Sequence, residues 1–179
     1  MEDARDERTA ERNDVLLRSE RFDVVRWSIT GPSGEESRLF IEHPGVAAIL
    51  ATRHERVVLI LNHRFNLGVR LCEIPAGTLR SGEDPMRAGK RELREETGYE
   101  ATSCHLVAQF YSSPGVSDEL VHLFHAECAT TVQDQKLDNA EEIAVGEFDV
   151  DQVRDLVATG GIRDAKTLIA LSWWMGQSS

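Results

Sequence analysis

Three glutamates, Glu92, Glu95 and Glu96, crowd one short stretch of the chain. At 3.6 residues per turn, spacings of three and four place all of them along one side of a helix. Like charges so arranged repel, so helix stability does not explain them. Arg91 can pair with Glu95 one turn on and relieve part of the repulsion. A plain reading would be a solvated acidic face. Two features favour chemistry. A glycine loop, Ala76-Gly77 to Gly82, leads into the helix directly after a strand, which brings main-chain carbonyls to the same place. Carboxylates clustered with a carbonyl make an all-oxygen site suited to Mg²⁺ or Mn²⁺. Such a cation would let an acidic chain hold a phosphate.

The elements that must position these groups follow from turn and cap residues. Asp84 is an N-cap, Pro85 stands at the first helical position and Gly98 closes the far end, which predicts a helix over Pro85 to Thr97. Leu93 and Met86 anchor its opposite face. Two further helices are expected, over Asp149 to Ala158 and Asp164 to Met175. Strands are expected at Phe22–Ile29, Arg38–Glu42, Val46–Thr52, Val57–Asn62, Leu71–Ile74, Ala101–Tyr111, Glu119–Cys128 and Glu141–Phe148. The turn Gly31-Pro32-Ser33-Gly34 makes the first two a hairpin. Helices scattered among strands indicate an α+β or mixed-sheet α/β domain. Residues 1–14 carry nine charges and read as a solvated arm. Residues 15–179 then form one domain, with a hairpin over about 20–43 and a core over about 44–179.

The chain has 179 residues, 41% of them apolar, and its 20 basic and 31 acidic residues give a net charge of −11. A broad basic surface for nucleic acid is not expected. The longest apolar run, Val57 to Leu61, is too short to cross a bilayer, and the N-terminus shows no signal-peptide pattern. Cys72, Cys104 and Cys128 are odd in number and widely spaced, so neither a disulfide framework nor a cysteine zinc site is expected, and a reducing cytoplasm fits. His122 and His125, on a strand, point to opposite faces and do not share a metal.

The stretch Gly77 to Tyr99 resembles the Nudix box, G-x5-E-x7-R-E-U-x-E-E-x-G-U with U apolar. Gly77, Glu83, Arg91, Glu92, Leu93, Glu95, Glu96 and Gly98 all match. Seven fixed letters at about 5–8% each coincide by chance on the order of once in 10⁸ positions. Tyr99 departs mildly, since an aliphatic residue is commoner there. Gly89 lies inside the helix and weakens it by roughly 1 kcal/mol. The resemblance implies a mixed sheet between helices and cation-dependent attack of water on a diphosphate. It also implies Glu92, Glu96 and the Ala76 carbonyl as ligands of Mg²⁺ or Mn²⁺, with more than one ion per site. Glu95 is then a secondary ligand, Arg91 holds a carboxylate, Gly77 allows the tight loop and Glu83 ties that loop to the helix.

Outside the box the chain is similar to the ADP-ribose pyrophosphatase branch. Pro114 and Ser117 in Ser112-Ser113-Pro114-Gly115-Val116-Ser117-Asp118-Glu119, Glu73 in Glu73-Ile74-Pro75-Ala76-Gly77, and Arg64 in Asn62-His63-Arg64-Phe65 carry that likeness. Gly161 to Thr167 has counterparts in ADP-ribose and GDP-mannose hydrolases. The resemblance implies a general base on the acidic loop 134–142, with Glu141 first and Glu142 in reserve. Arg64 and Arg38 are candidates for phosphate or ribose, and Phe22 and Trp27 for stacking on adenine. A homodimer with exchanged N-terminal sheets is implied. The expected reaction converts ADP-ribose to AMP and ribose 5-phosphate. GDP-mannose, another nucleotide sugar or a dinucleotide is the alternative substrate, and a non-catalytic ligand-sensing module the alternative role.

Overall fold

A computed structural model describes residues 9–137 and 142–177. Along the chain run β1 (Thr9–Arg18), β2 (Asp23–Gly31), β3 (Gly34–Glu42), β4 (Val46–Arg53), β5 (Arg56–Arg64), β6 (Val69–Glu73), β7 (Ala76–Thr78), α1 (Pro85–Thr97), β8 (Tyr99–Tyr111), β9 (Leu120–Val132), β10 (Ile143–Phe148), α2 (Val150–Ala158) and α3 (Ala165–Gln177). The described strands form two sheets. One is the antiparallel ribbon β1-β2-β3, and the other is ordered β10-β5-β4-β9-β8, with β6 on β5 and β7 on β4. The second sheet is mixed, because β4 and β9 run parallel while its other pairs are antiparallel. This is the expected α+β architecture.

Strand β4 lies at the centre and is buried on both faces. Ala47, Ile49 and Ala51 face α1 with Val58, Leu93 and Phe124. Ala48 and Leu50 face the other way, towards Leu171, Trp174 and Val153 of α3 and α2. A strand covered on both sides needs an unbroken apolar run, and Val46 to Ala51 supplies it. The site's helix is thereby fixed against a rigid floor. Its caps are as expected: the Asp84 carboxylate accepts from the Arg87 amide at 3.0 Å, and Gly98 takes the left-handed conformation at φ 76°. Gly89 packs over Phe124, Ala47 and Ile49.

Two differences from the sequence reading stand out. The arm expected over residues 1–14 gives way to strand β1 from Thr9, and residues 1–8 lie outside the described residues. Exposed charged side chains on β1 hid it, because a ribbon strand that buries little shows no apolar alternation. The N-terminal hairpin is therefore a three-stranded sheet. Strand β7 is the second difference, since the three residues Ala-Gly-Thr read as loop and become a strand only by pairing with β4. The hairpin turn itself is as expected, with Gly31 opposite Gly34. No described helix is long and apolar enough to cross a membrane. All three cysteines are free and half-buried, and burial pushes the thiols of Cys72 and Cys128 up to about 11 and about 12.

Candidate active site

The acidic side of α1 meets the loop that β7 begins. The Ala76 amide donates to Glu96 Oε2 at 3.0 Å, and Glu96 is almost fully buried. Glu92 lies against Gly77 so closely that a Cβ there would overlap its carboxylate. Glycine is thus required by contact and not by backbone angle, because Gly77 does not have a positive φ. These groups line one polar cavity of about 300 Å³, whose wall also includes Glu95, Arg91, Arg64 and Lys136.

Arg91 organises the acidic side. Its Nε and Nη2 each donate to the Glu83 carboxylate at 2.9 Å, and its Nη1 bridges Glu92 Oε1 at 2.5 Å and Glu95 Oε2 at 2.9 Å. Glu83 in turn accepts from the Arg80 amide at 3.0 Å, which ties the loop to the helix as expected. The Arg91 guanidinium holds the Glu83 carboxyl at about 2, well below the usual carboxylate range. The same contacts push Arg91 further up, so it stays charged.

Beneath the cavity sits a second ionic cluster. Glu73 is buried at 1% exposure, and Arg64 grips it with two bonds of 2.8 and 2.5 Å. Lys166 Nζ reaches Glu73 Oε2 at 3.0 Å and Asp164 Oδ1 at 2.7 Å. Asp164 also accepts from the Thr167 amide at 2.9 Å, and Thr167 Oγ1 accepts from the Ile74 amide at 2.9 Å. The start of α3 therefore clamps the strand end that leads into Ala76 and Gly77. The sequence singled out Glu73 and the Asp164-Ala165-Lys166-Thr167 run separately. Nothing in their spacing joined them, because the contact spans about ninety residues.

The other candidates are scattered. Trp27, Pro114 and Ser117 share an apolar crevice of about 430 Å³ with Phe40 and Tyr111. Phe22 lies in the β1–β2 turn, in a different groove. Arg38 is exposed on β3 beside Glu36, at 3.0 Å, and lines none of these cavities. Glu142 pairs with Arg70 and, at 3.6 Å, with His63, and is absent from the carboxylate cavity's wall. Glu141 lies outside the described residues. The loop before it is anchored to the end of α1, where the Lys136 amide donates to the Glu95 carbonyl at 2.8 Å and the Gln133 amide to the Gly98 carbonyl at 2.9 Å. His122 bonds Gln109, while His125 bonds Thr52 and packs on Trp173.

The model of the NUDIX domain matches residues 41–171. The chain belongs to the Nudix family. Among similar proteins, the ADP-ribose pyrophosphatase of Bacillus subtilis (strain 168) is 38% identical over 145 residues, covering 79% of this chain and 78% of that one. The methanol dehydrogenase activator of Bacillus methanolicus is 36% identical over the same shares. The GDP-mannose pyrophosphatase of Escherichia coli (strain K12) is 34% identical over 179 residues, covering 89% and 91%. Nudix hydrolases act with divalent metal ions.

The residues of this Nudix chain fit such an ion by their chemistry. The donors are carboxylates and a peptide carbonyl, all hard oxygens, and glycine at position 77 keeps the space between them clear. Among the described residues no three carboxylate, thiol or imidazole groups close on one point. Arg91 holds Glu92 and Glu95 and the Ala76 amide holds Glu96, so these carboxylates would turn from their present partners to bind a cation.

Proposed function

We propose that this chain hydrolyses the diphosphate of ADP-ribose, giving AMP and ribose 5-phosphate. The observation that carries the reading is the placement of Glu92, Glu95 and Glu96 on one wall of a polar cavity whose other walls carry Arg64, Arg80 and Lys136. Carboxylates to hold cations, ringed by cations to hold an anion, suit a diphosphate. The 38% identity to an ADP-ribose pyrophosphatase supports the choice of substrate. Glu92, Glu96 and the Ala76 carbonyl would hold Mg²⁺ or Mn²⁺, with Glu95 as a further ligand and room for more than one ion. Bound there, the ions would shield the diphosphate's charge, sharpen the attacking water and steady the leaving oxygen.

The chain's own residues do the rest. Arg91 aligns Glu92 and Glu95, and Glu83 keeps Arg91 in place and charged. Arg64, held by Glu73 through Nε and Nη2, lines the cavity, where it would bind a phosphate or the terminal ribose. Water adds to one phosphorus, the bond from that phosphorus to the bridging oxygen breaks, and a carboxylate of the loop 134–142 takes the water's proton. Glu141 has that role in this reading and Glu142 is the reserve. Trp27, Pro114 and Ser117 form a nucleobase crevice that shares no wall residue with the carboxylate cavity, and a homodimer in which a second copy brings its N-terminal sheet across would join the two.

GDP-mannose is the second reading, supported by the 34% identity to a GDP-mannose pyrophosphatase over most of both chains. A panel of nucleotide sugars with Mg²⁺, read as phosphate released after phosphatase coupling, separates the two. ADP-ribose should be cleaved fastest. Faster cleavage of GDP-mannose would overturn the named substrate, and inactivity on every nucleotide diphosphate would overturn the reaction.

A further inference from the structure

The last carbonyls of a helix have no partner within it and must find one elsewhere. In α1 two of these carbonyls belong to Glu95 and Glu96, whose side chains line the cavity. A strap of chain just beyond β9 supplies the donors. The Lys136 amide bonds the Glu95 carbonyl at 2.8 Å, the Gln133 amide bonds the Gly98 carbonyl at 2.9 Å, and the Gln135 side-chain amide donates to the Glu96 carbonyl. The Gln133 side chain adds a bond of 2.8 Å to Glu100.

Gln135 holds a second point as well. Its Nε2 also donates, at 3.4 Å, to the carbonyl of Ile143, where β10 begins. Ile143 pairs with Asn62 of β5, and Asn62 lines the carboxylate cavity. One side chain therefore joins the strap, the carboxylate helix and the strand that returns to the cavity. The consequence lies one residue on. Lys136 lines the cavity with Glu92, Glu95 and Glu96. A lysine ammonium is a point charge on a flexible stem, so its reach is set by where its main chain is held. Arg91 and Arg64, by contrast, are fixed through their guanidinium groups, by Glu83 and Glu73.

We propose that the Lys136 ammonium meets the leaving phosphate of the substrate and that Gln135 is the positioning residue that sets it there, a pair of roles that rests on the diphosphate reading of the cavity. When the bond from phosphorus to the bridging oxygen breaks, the electron pair goes to that oxygen and negative charge gathers on the leaving phosphate. A fixed positive charge at the wall stabilises this product-like charge more than that of the intact diphosphate. Lys136 keeps its proton and the leaving phosphate departs as an anion, so no further acid is needed. Gln135 touches no substrate. Its effect passes through its neighbour, because the bonds to Glu96 and Ile143 hold the strap from which Lys136 projects.

Steady-state hydrolysis of ADP-ribose by the full chain, beside calorimetric binding of α,β-methylene ADP-ribose, whose bridging carbon resists cleavage, tests both residues in a double-mutant cycle. Lys136→Met should lower kcat by about 10- to 100-fold, the range of a charged hydrogen bond, and weaken the analogue by only about two- to fivefold, as for an exposed charge contact. Lys136→Arg should restore part of the rate. Gln135→Met should lose part of the same rate with KM changed less than kcat, and Gln135→Lys, which keeps a donor, should recover most of it. The double variant should be no slower than Lys136→Met alone, since nothing is left to position. The Lys136 arm leaves the strap intact, so it decides the outcome even if Gln135→Met melts early. Unchanged kcat in Lys136→Met overturns the proposal, and additive losses in the double variant overturn the role of Gln135. If no nucleotide sugar is cleaved while Lys136→Met still weakens the analogue, the catalytic reading fails and the phosphate contact stands.

Discussion

Replacing Gly77 by alanine separates the site's chemistry from its folding. The three atoms nearest to the new Cβ would all belong to the Glu92 carboxylate. Its more distant oxygen would lie 2.7 Å away, whereas ordinary contact begins near 3.4 Å, so that oxygen must retreat by at least 0.7 Å and the other by more. The obstacle is the free end of a flexible side chain, and Gly77 has no positive φ for alanine to strain. The fold therefore yields cheaply, and the melting temperature should shift by only a few degrees. The chemistry does not yield cheaply, because misplacing a group by about 1 Å costs on the order of 10²-fold in rate. Initial rates on ADP-ribose at saturating Mg²⁺, with a thermal melt on the same sample, read both quantities. Turnover within threefold of wild type would refute the claim that Glu92 must rest against position 77.

Two further perturbations probe the supports of the site. Because Arg91 holds the Glu83 carboxyl down at about 2, the stabilisation from that pair is complete above about pH 4.5 and is lost as pH falls towards 2. Denaturant unfolding at stepped pH should show the advantage of wild type over Glu83→Gln shrinking across that window, and a constant difference would count against the pairing. Glu73→Ala would leave Arg64 and Lys166 facing each other without their buried carboxylate. It should cost about 3 kcal/mol or more in urea unfolding, as loss of one partner of a buried ion pair does, and a cost under about 1 kcal/mol would show that the cluster is not structural.

The local features of the site were legible in the sequence because they obey short-range rules. Asp84, Pro85 and Gly98 specify where α1 starts and stops, and the spacing of Glu92, Glu95 and Glu96 follows from helical pitch. The double burial of β4 could be read from its unbroken apolar run. What escaped were contacts set by tertiary structure. Strand β1 buries too little to leave a pattern, and β7 is a strand only because β4 pairs with it. The Arg64–Glu73–Lys166 cluster and the strap of residues 133–136 over the end of α1 each join distant segments, and one chain without aligned relatives carries no signal for such pairs. Arg38, a ligand candidate by resemblance, stands beside Glu36 on the exposed surface of β3, a placement that only the fold shows.

The central claim is that Glu92 and Glu96, with the main chain at Ala76, hold divalent cations that make a diphosphate cleavable. Titration of Mn²⁺ followed by water-proton relaxation, run beside Mg²⁺-dependent hydrolysis of ADP-ribose for wild type and Glu96→Gln, tests it directly. The account predicts Mn²⁺ binding by the wild type, at least tenfold weaker binding by the variant, and a fall in turnover of about 10³-fold or more, as expected when charge stabilisation worth several kcal/mol is removed. Undiminished turnover in Glu96→Gln, or full wild-type activity in excess chelator, would contradict it.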